Sequence, residues 1–403
     1  MSNSPRPPRS GRLVLVLGIV SGLASIVATP VVAPEQLMLA SDVYFYAADA
    51  LLSGADIYEV TPPERPGLHY IYPPVVVFAF VPHTLLSSTV SAYALQTVLN
   101  VAFAAGIAAV LWRALSRRGV SLGRIDGVLF FGFALCSAYS AISLVNGQVN
   151  IALAFAFAVG LDALDQRRYR LAGFAFAAAA LVKVFPAALG LWLLRLRAWK
   201  SVAVALLTGI TGILLGLFAL GPEVTVTYFT EVLTGRYDGF DGAPDPTQSR
   251  DGLQRQLAAL SGLGQPSVTP LAAALLAPVL AYLYLDVETD SQRQAAALGT
   301  ILVTLLFFPL QRLYMVLLVF PFVLLLYRLP SGRPRTLLVV GALVSFVRVD
   351  FTLAEMALTI VPLPTMLESV LLSGAERFFQ VILPPTLGMW LLLAACVLAQ
   401  YES

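Results

Sequence analysis

Charge, histidine and cysteine are all scarce in this 403-residue chain. Only 12% of its residues are Asp, Glu, Lys or Arg, against roughly 25% in soluble domains, so a water-soluble globular fold is excluded. Two histidines, His69 and His83, are too few for a His-ligated metal or haem site. Two cysteines, Cys136 and Cys396, both lie in apolar runs and supply neither a disulfide framework nor a metal cluster. The net charge of +2 leaves no basic face for nucleic acid. No GxxxxGK[ST] run is present, which disfavours an ATP-driven pump or a nucleotide-sugar enzyme. No fixed-period repeat is evident, so the inverted-repeat design of many transporters has no support. Chemistry in this chain must rest on carboxylates, arginine, lysine, tyrosine and amides.

What the chain has in abundance is apolar length. Hydrophobic residues make up 58% of it and its mean hydropathy is +0.82. Stretches of about 20 residues, enough to cross a bilayer core, recur from residue 13 almost to the C-terminus. An all-α polytopic membrane protein is expected, a single transmembrane domain over residues 1–403. Spans are read near 13–33, 91–112, 125–143, 149–164, 171–183, 185–195, 201–220, 267–285, 295–309, 313–327, 336–352 and 379–399, about twelve in all. The first follows Arg6, Arg9 and Arg12 and outruns a signal-peptide core, so it reads as a retained span. Tyr72–Leu86 is interrupted by Pro73, Pro74 and Pro82 and is short for a crossing, so it reads as a reentrant or surface helix. With that choice most of the 25 basic residues fall on one side, which the positive-inside rule makes cytoplasmic. Both termini are then expected in the cytoplasm, and the chain in the plasma membrane. The long loops 34–90 and 221–266, and a shorter one at 353–378, face the extracytoplasmic side, where function is to be sought.

Loop 34–90 opens with SDVYFYAADALLSGADIYEV. Ser41 is the expected N-cap of an amphipathic surface helix, Tyr44, Ala47, Ala48 and Leu51 have helical spacing, and Gly54 ends it. Asp42 sits in the first turn, where it is either a helix-dipole acid or a general base for a sugar hydroxyl. Asp49 lies two turns on, on nearly the same face. Tyr70 and Tyr72 of HYIYPP read as an interface belt or as a pocket wall, and His69 and His83 as interfacial. NGQVN gathers Asn146, Gln148 and Asn150 in one turn, for hairpin capping or for binding a polyhydroxylated or phosphorylated headgroup. Lys183 interrupts an apolar stretch just before Pro186. A cation there snorkels or meets an anion, and a phosphate partner is the preferred reading. The loop RYDGFDGAPDPTQSRDGLQRQL carries Arg250 and Arg255, Ser249 or Asp251 can start its helix, and the two arginines can close over an anionic group. FFPLQRLYM places Gln311, Arg312 and Tyr314 at the mouth of a span, where Arg312 has the same burial problem as Lys183.

In the order SDVYFYAADALLSGADIY, YIYPP, NGQVN, LVKVFP, TQS and FFPLQRLYM, residues 38 to 320 resemble glycosyltransferase family 87, the polyprenyl-phosphate-mannose-dependent alpha-mannosyltransferases of the GT-C fold. The resemblance implies surface helices in the first large loop. It also implies inverting transfer of a hexose, mannose in that family, from a polyprenyl or dolichyl phosphate to a glycolipid or glycan on the extracytoplasmic face, with no cofactor and no metal. By similarity Asp42 is the catalytic base and Lys183 a ligand of the donor phosphate; from their own positions Arg312, Arg250 and Arg255 are the further cations expected at that phosphate. Asp49, Tyr72, Asn146, Gln148, Asn150, Gln248, Gln311 and Tyr314 are the expected substrate contacts. Where many relatives carry two histidines after the late proline, this chain has Gln311, Arg312, Leu313 and Tyr314. The rival reading is a transporter or flippase for a lipid-linked sugar.

Overall fold

The computed structural model describes residues 9–235, 242–247, 250–308 and 312–402, and every regular element among them is helical. The chain divides into two compact units, one containing Gly22–Asp238 and the other Pro7–Ser21 with Gly239–Ser403.

The first unit takes the later part of α1 (Arg9–Val32), then α2 (Leu39–Ser53), α3 (Thr89–Arg117), α4 (Arg124–Cys136), α5 (Asn150–Asp165), α6 (Tyr169–Val182), α7 (Leu189–Arg195) and α8 (Trp199–Thr227). Helix α3 begins where the Ser88 hydroxyl accepts the Ser91 N–H at 3.2 Å, a side-chain cap that satisfies one orphan donor. It packs on α4 and α5, α5 packs on α6, and α6 packs on α8. Arg117 and Arg118 at the end of α3 pair with Asp162 and Asp165 at the end of α5. Tyr72–Leu86 folds as a 3-10 turn, Pro74–Phe80, running into the four-residue helix Val81–Thr84. Three prolines confine it to these short pieces.

The second unit contains α9 (Leu253–Ser261), α10 (Gln265–Leu283), α11 (Asp290–Phe307), α12 (Val319–Arg328), α13 (Arg333–Ser345), α14 (Phe351–Ile360), α15 (Thr365–Val381) and α16 (Pro384–Tyr401). Helix α11 starts in a capping box between Thr289 and Gln292, and it packs on α16 and α12. Residues 353–378, read from sequence as a loop, are mostly the two helices α14 and α15.

Among the described residues five helices are long and apolar enough to cross a bilayer: Ser10–Val32, Thr89–Arg117, Trp199–Gly235, Gln265–Leu283 and Pro384–Tyr401. The protein is a helical membrane protein. Of the other expected spans, 295–309 falls largely in the unbroken 18-residue α11, and the rest are shorter or broken. The pair 171–183 and 185–195 is α6, a 3-10 turn Phe185–Ala188, and the seven-residue α7. The stretch 313–327 is split between a 3-10 turn, Arg312–Leu318, and the ten-residue α12. Broken helices leave backbone groups that only neighbouring protein or a polar cavity can satisfy at membrane depth.

Candidate functional site

Ser41 is not the N-cap of α2, which begins two residues earlier. Met38 takes a left-handed conformation (φ 60°) at that position. The helix is capped from a distant part of the chain: the Asn146 carbonyl accepts from the Ala40 N–H (2.8 Å) and the Ser41 N–H (3.3 Å), and the Val145 carbonyl accepts from Met38 N–H (3.0 Å). These orphan donors of the first turn thereby lock α2 to the NGQVN turn. Its amide side chain, in the orientation that satisfies it, donates to the Gln36 carbonyl at 2.7 Å. Gly54, in the left-handed region (φ 75°), ends the helix as expected.

Asp42, in the first turn of α2, is buried. Its Oδ2 accepts from Arg65 Nη1 at 2.6 Å, while Arg65 Nη2 donates to the Leu37 carbonyl at 2.7 Å. Its Oδ1 is enclosed and has no hydrogen-bond partner among the described residues. Burial pushes the Asp42 carboxyl above its ordinary value, the Arg65 guanidinium opposes that shift, and Glu64 adds to it. A carboxylate so placed is one charge-assisted bond short of satisfaction and ready to accept a proton.

Two residues on, about 200° around the helix, Tyr44 enters a second cluster. Its hydroxyl is 2.7 Å from that of Tyr72 and donates to Gln148 Oε1 at 3.0 Å; the Tyr72 hydroxyl is 3.2 Å from the same oxygen. Tyr58 donates its hydroxyl to the Tyr72 carbonyl at 2.9 Å, and Phe80 stacks on Tyr44 with ring centroids 4.0 Å apart. Lys183 ends α6 in extended backbone (φ −142°), which breaks the helix and turns the side chain into the protein. It is 1% exposed, and its Nζ lies 5.3 Å from the centre of the Tyr72 ring, within cation–π range.

Directly after Tyr72 and Lys183 in the chain, Pro73, Pro74, Val75, Val184 and Pro186 help to line a half-open apolar groove of about 530 Å³. Its far wall is α8, where Gly209, Gly212 and Gly216 stand in place of side chains.

In the second unit, Arg255 on α9 is 2% exposed. It donates to the backbone carbonyls of Gln380 (3.2 Å), Arg250 (3.3 Å), Asp245 (3.0 Å) and Phe379 (2.8 Å). Asp251 is also buried, accepts from the Thr386 hydroxyl at 3.1 Å, and has no partner for its Oδ2 among the described residues. Burial raises its carboxyl above the ordinary value, opposed by Arg312, the Thr386 hydroxyl, Arg255 and Arg348. Arg312 is 3.4 Å from Asp350 Oδ2, a loose pair. Among the described residues no group of three or more His, Cys, Asp or Glu is placed to hold a metal ion.

The sequence profile of glycosyltransferase family 87 matches residues 70–354. The chain belongs to glycosyltransferase family 87. It is similar to the polyprenol-phosphate-mannose-dependent alpha-(1-2)-phosphatidylinositol pentamannoside mannosyltransferase of Mycolicibacterium smegmatis, with 28% identity over 309 residues, 75% of this chain and 72% of that protein. No solved structure matches it.

Of the residues that sequence assigned to this glycosyltransferase site, the first unit gathers Tyr72, Gln148 and Lys183 in one cluster and gives Asp42 a neighbouring place on α2. Asp49, two helical turns on from the buried Asp42, is exposed. Asn146 works as a cap for α2, and Asn150 donates to the Ser143 hydroxyl at 3.2 Å. His83, expected at an interface, is buried and faces Gln96 at 3.1 Å. Ser249, Gln248 and Gln311 lie outside the described residues, and α9 starts at Leu253 behind Gly252 instead of at Asp251. Arg255 is spent on backbone carbonyls, which corrects its reading as a phosphate ligand. Arg250 is half-buried and Tyr314 is buried in the second unit. Arg65 was missed, since a lone arginine in PPERPG carries no spacing signal. Gln96 and Asn100, amides one turn apart inside an apolar span, were legible as intramembrane polar residues and were passed over.

Proposed function

We propose that this family 87 glycosyltransferase moves mannose, with inversion, from a polyprenyl-phosphate mannose to a hydroxyl of a glycolipid on the extracytoplasmic face of the plasma membrane, both termini being cytoplasmic. The observation that carries this reading is Asp42 Oδ1, buried and without a partner beside an Oδ2 already fixed by Arg65. Asp42 takes the proton of the acceptor hydroxyl as its oxygen bonds to the anomeric carbon. The bond from that carbon to the phosphate oxygen breaks, and the electron pair leaves with the lipid phosphate. That phosphate is a stable anion, so no general acid is needed, unlike the two-carboxylate arrangement of hydrolases. Lys183 compensates the growing charge on the phosphate in a water-poor setting. The Gln148 amide binds oxygens of the donor headgroup. The apolar groove takes the first isoprene units, and the Pro73–Val75 and Val184–Pro186 stretches that line it follow Tyr72 and Lys183 in the chain. In the second unit Arg312, released from Asp350, is the cation assigned to an anionic group.

Proteoliposomes supplied with polyprenyl-phosphate mannose carrying labelled sugar, and with phosphatidylinositol mannosides as acceptors, are expected to form mannosylated glycolipid. Asp42→Asn should abolish this while the protein is still made, and Lys183→Met should raise the donor KM. Full turnover by Asp42→Asn removes that carboxylate from the base role. Movement of the lipid-linked sugar across the bilayer with no new glycosidic bond favours a flippase instead.

A further inference from the structure

A file of buried amides runs through the first unit, and the transfer chemistry proposed above does not use it. His83 Nε2 lies 3.1 Å from Gln96 Oε1, Gln96 Nε2 donates to Asn100 Oδ1 at 3.4 Å, and Asn100 Nδ2 donates to the Gln148 backbone carbonyl at 3.1 Å. His83, Gln96 and Asn100 are 1%, 2% and 0% exposed. Gln96 and Asn100 are one turn apart on α3, a helix apolar enough to span a membrane. Amides at that depth are costly unless every group finds a partner.

The file has a single polarity. A backbone carbonyl only accepts, so Asn100 must turn Nδ2 toward Gln148 and Oδ1 toward Gln96. Gln96 then turns Nε2 to Asn100 and Oε1 to the histidine, whose Nε2 carries the proton. Hydrogen bonds aligned head to tail in a dry setting strengthen one another. At the far end, the Tyr44 and Tyr72 hydroxyls take Gln148 Oε1. With Tyr72 donating to Tyr44 and Tyr44 donating to Gln148 Oε1, each hydroxyl proton is used once. Gln148 Nε2, with two N–H groups, donates to no described residue, and Gln148 is only half-buried.

We propose that Gln96 and Asn100 are positioning residues, which hold the Gln148 backbone so that its side-chain amide is presented as a fixed pair of donors to an acceptor oxygen of the lipid-linked donor. The inference rests on the proposed role of Gln148 at the donor headgroup. The acceptor oxygen belongs either to the phosphate or to a sugar hydroxyl.

The test uses the full chain in nanodiscs, with Gln148→Met, Asn100→Leu, Gln96→Leu and the double variant Asn100→Leu/Gln148→Met. Gln148→Met removes the donors and leaves Tyr44 and Tyr72 each other as partners. Thermal midpoint, kcat, donor KM, and affinity for polyprenyl phosphate and for polyprenyl-phosphate mannose are measured for each. Asn100→Leu is expected to raise donor KM roughly threefold to tenfold, the worth of one ordinary hydrogen bond, with kcat nearly unchanged. The double variant should be no worse than Gln148→Met alone. Weakened binding of both lipids assigns the contact to the phosphate; weakened binding of the mannosylated lipid alone assigns it to the sugar. A fall in thermal midpoint with donor KM unmoved, or additive losses in the double variant, overturns the proposal. If Asn100→Leu does not fold, Gln96→Leu decides: an unmoved donor KM overturns it. Unchanged donor affinity in Gln148→Met instead refutes the headgroup role of Gln148, a failure distinct from that of the relay.

Discussion

Arg65 bridges the two ends of the chain segment it closes: Nη1 holds Asp42 Oδ2 at 2.6 Å and Nη2 holds the Leu37 carbonyl at 2.7 Å. The guanidinium therefore fixes one carboxylate oxygen and leaves the other for chemistry. Because Arg65 opposes the rise that burial imposes on Asp42, Arg65→Gln should raise that carboxyl further. The acidic limb of kcat/KM moves to higher pH, and the pH profile of transfer checks it. A limb that stays in place, or moves lower, would remove Asp42 from control of the rate.

For Asp42 itself, loss of the base should cost about 10²- to 10⁴-fold in kcat and little stability. A carboxyl raised in the folded state contributes stability that is fully present below its unfolded value and is lost as pH rises through the folded one. At neutral pH the buried charge is thus a burden, and Asp42→Asn, which keeps an oxygen for Arg65, is expected to melt no lower than the parent. Calorimetry or a fluorescence melt at pH 7 measures this.

Arg255 predicts the opposite pattern. Arg255→Met strips four backbone carbonyls of this donor, and leaving the buried one among them, that of Phe379, unpaired costs about 1–3 kcal/mol. The thermal midpoint should drop clearly while the donor KM of the surviving fraction stays put. A selective rise in donor KM would restore Arg255 to the ligand set.

Gly147 stands in the left-handed region (φ 66°), and a Cβ there would meet the Ser41 Cβ at 2.8 Å. Gly147→Ala should therefore push the NGQVN turn off the start of α2 and loosen its carbonyl caps. A loss of more than about 1 kcal/mol is expected, read as a lower melting temperature together with weaker transfer.

Gly209 tests the groove. It lines the cavity, and a Cβ added there meets nothing within 4 Å, so Gly209→Leu, whose first added carbon is accommodated, puts bulk at the groove wall. Donors with long prenyl chains should lose affinity and short-chain analogues should keep it. Equal binding of both chain lengths would place the isoprenoid elsewhere.

The family motifs were readable because each is a short local run: YIYPP, NGQVN and LVKVFP survive as text whatever the fold does. Gly54 ends α2 as its backbone freedom predicts, and Lys183 stands at a helix break as Pro186 foretold. The number of crossings was less legible, since a broken helix such as α6 and α7 has the same hydropathy as a whole one.

Spacing alone did not show that Asp49 is exposed, because the same helical face that buries Asp42 has left the protein two turns later. It also misjudged Arg255, because whether a guanidinium meets a ligand or a carbonyl depends on chain more than 120 residues away. Composition and local order thus sufficed for a helical membrane glycosyltransferase of family 87. Which polar groups are paired, and which carboxylate oxygens are left over, emerged only on folding, since partners such as Arg65, Gln148 and Asn100 come to their places through contacts that leave no period in the text.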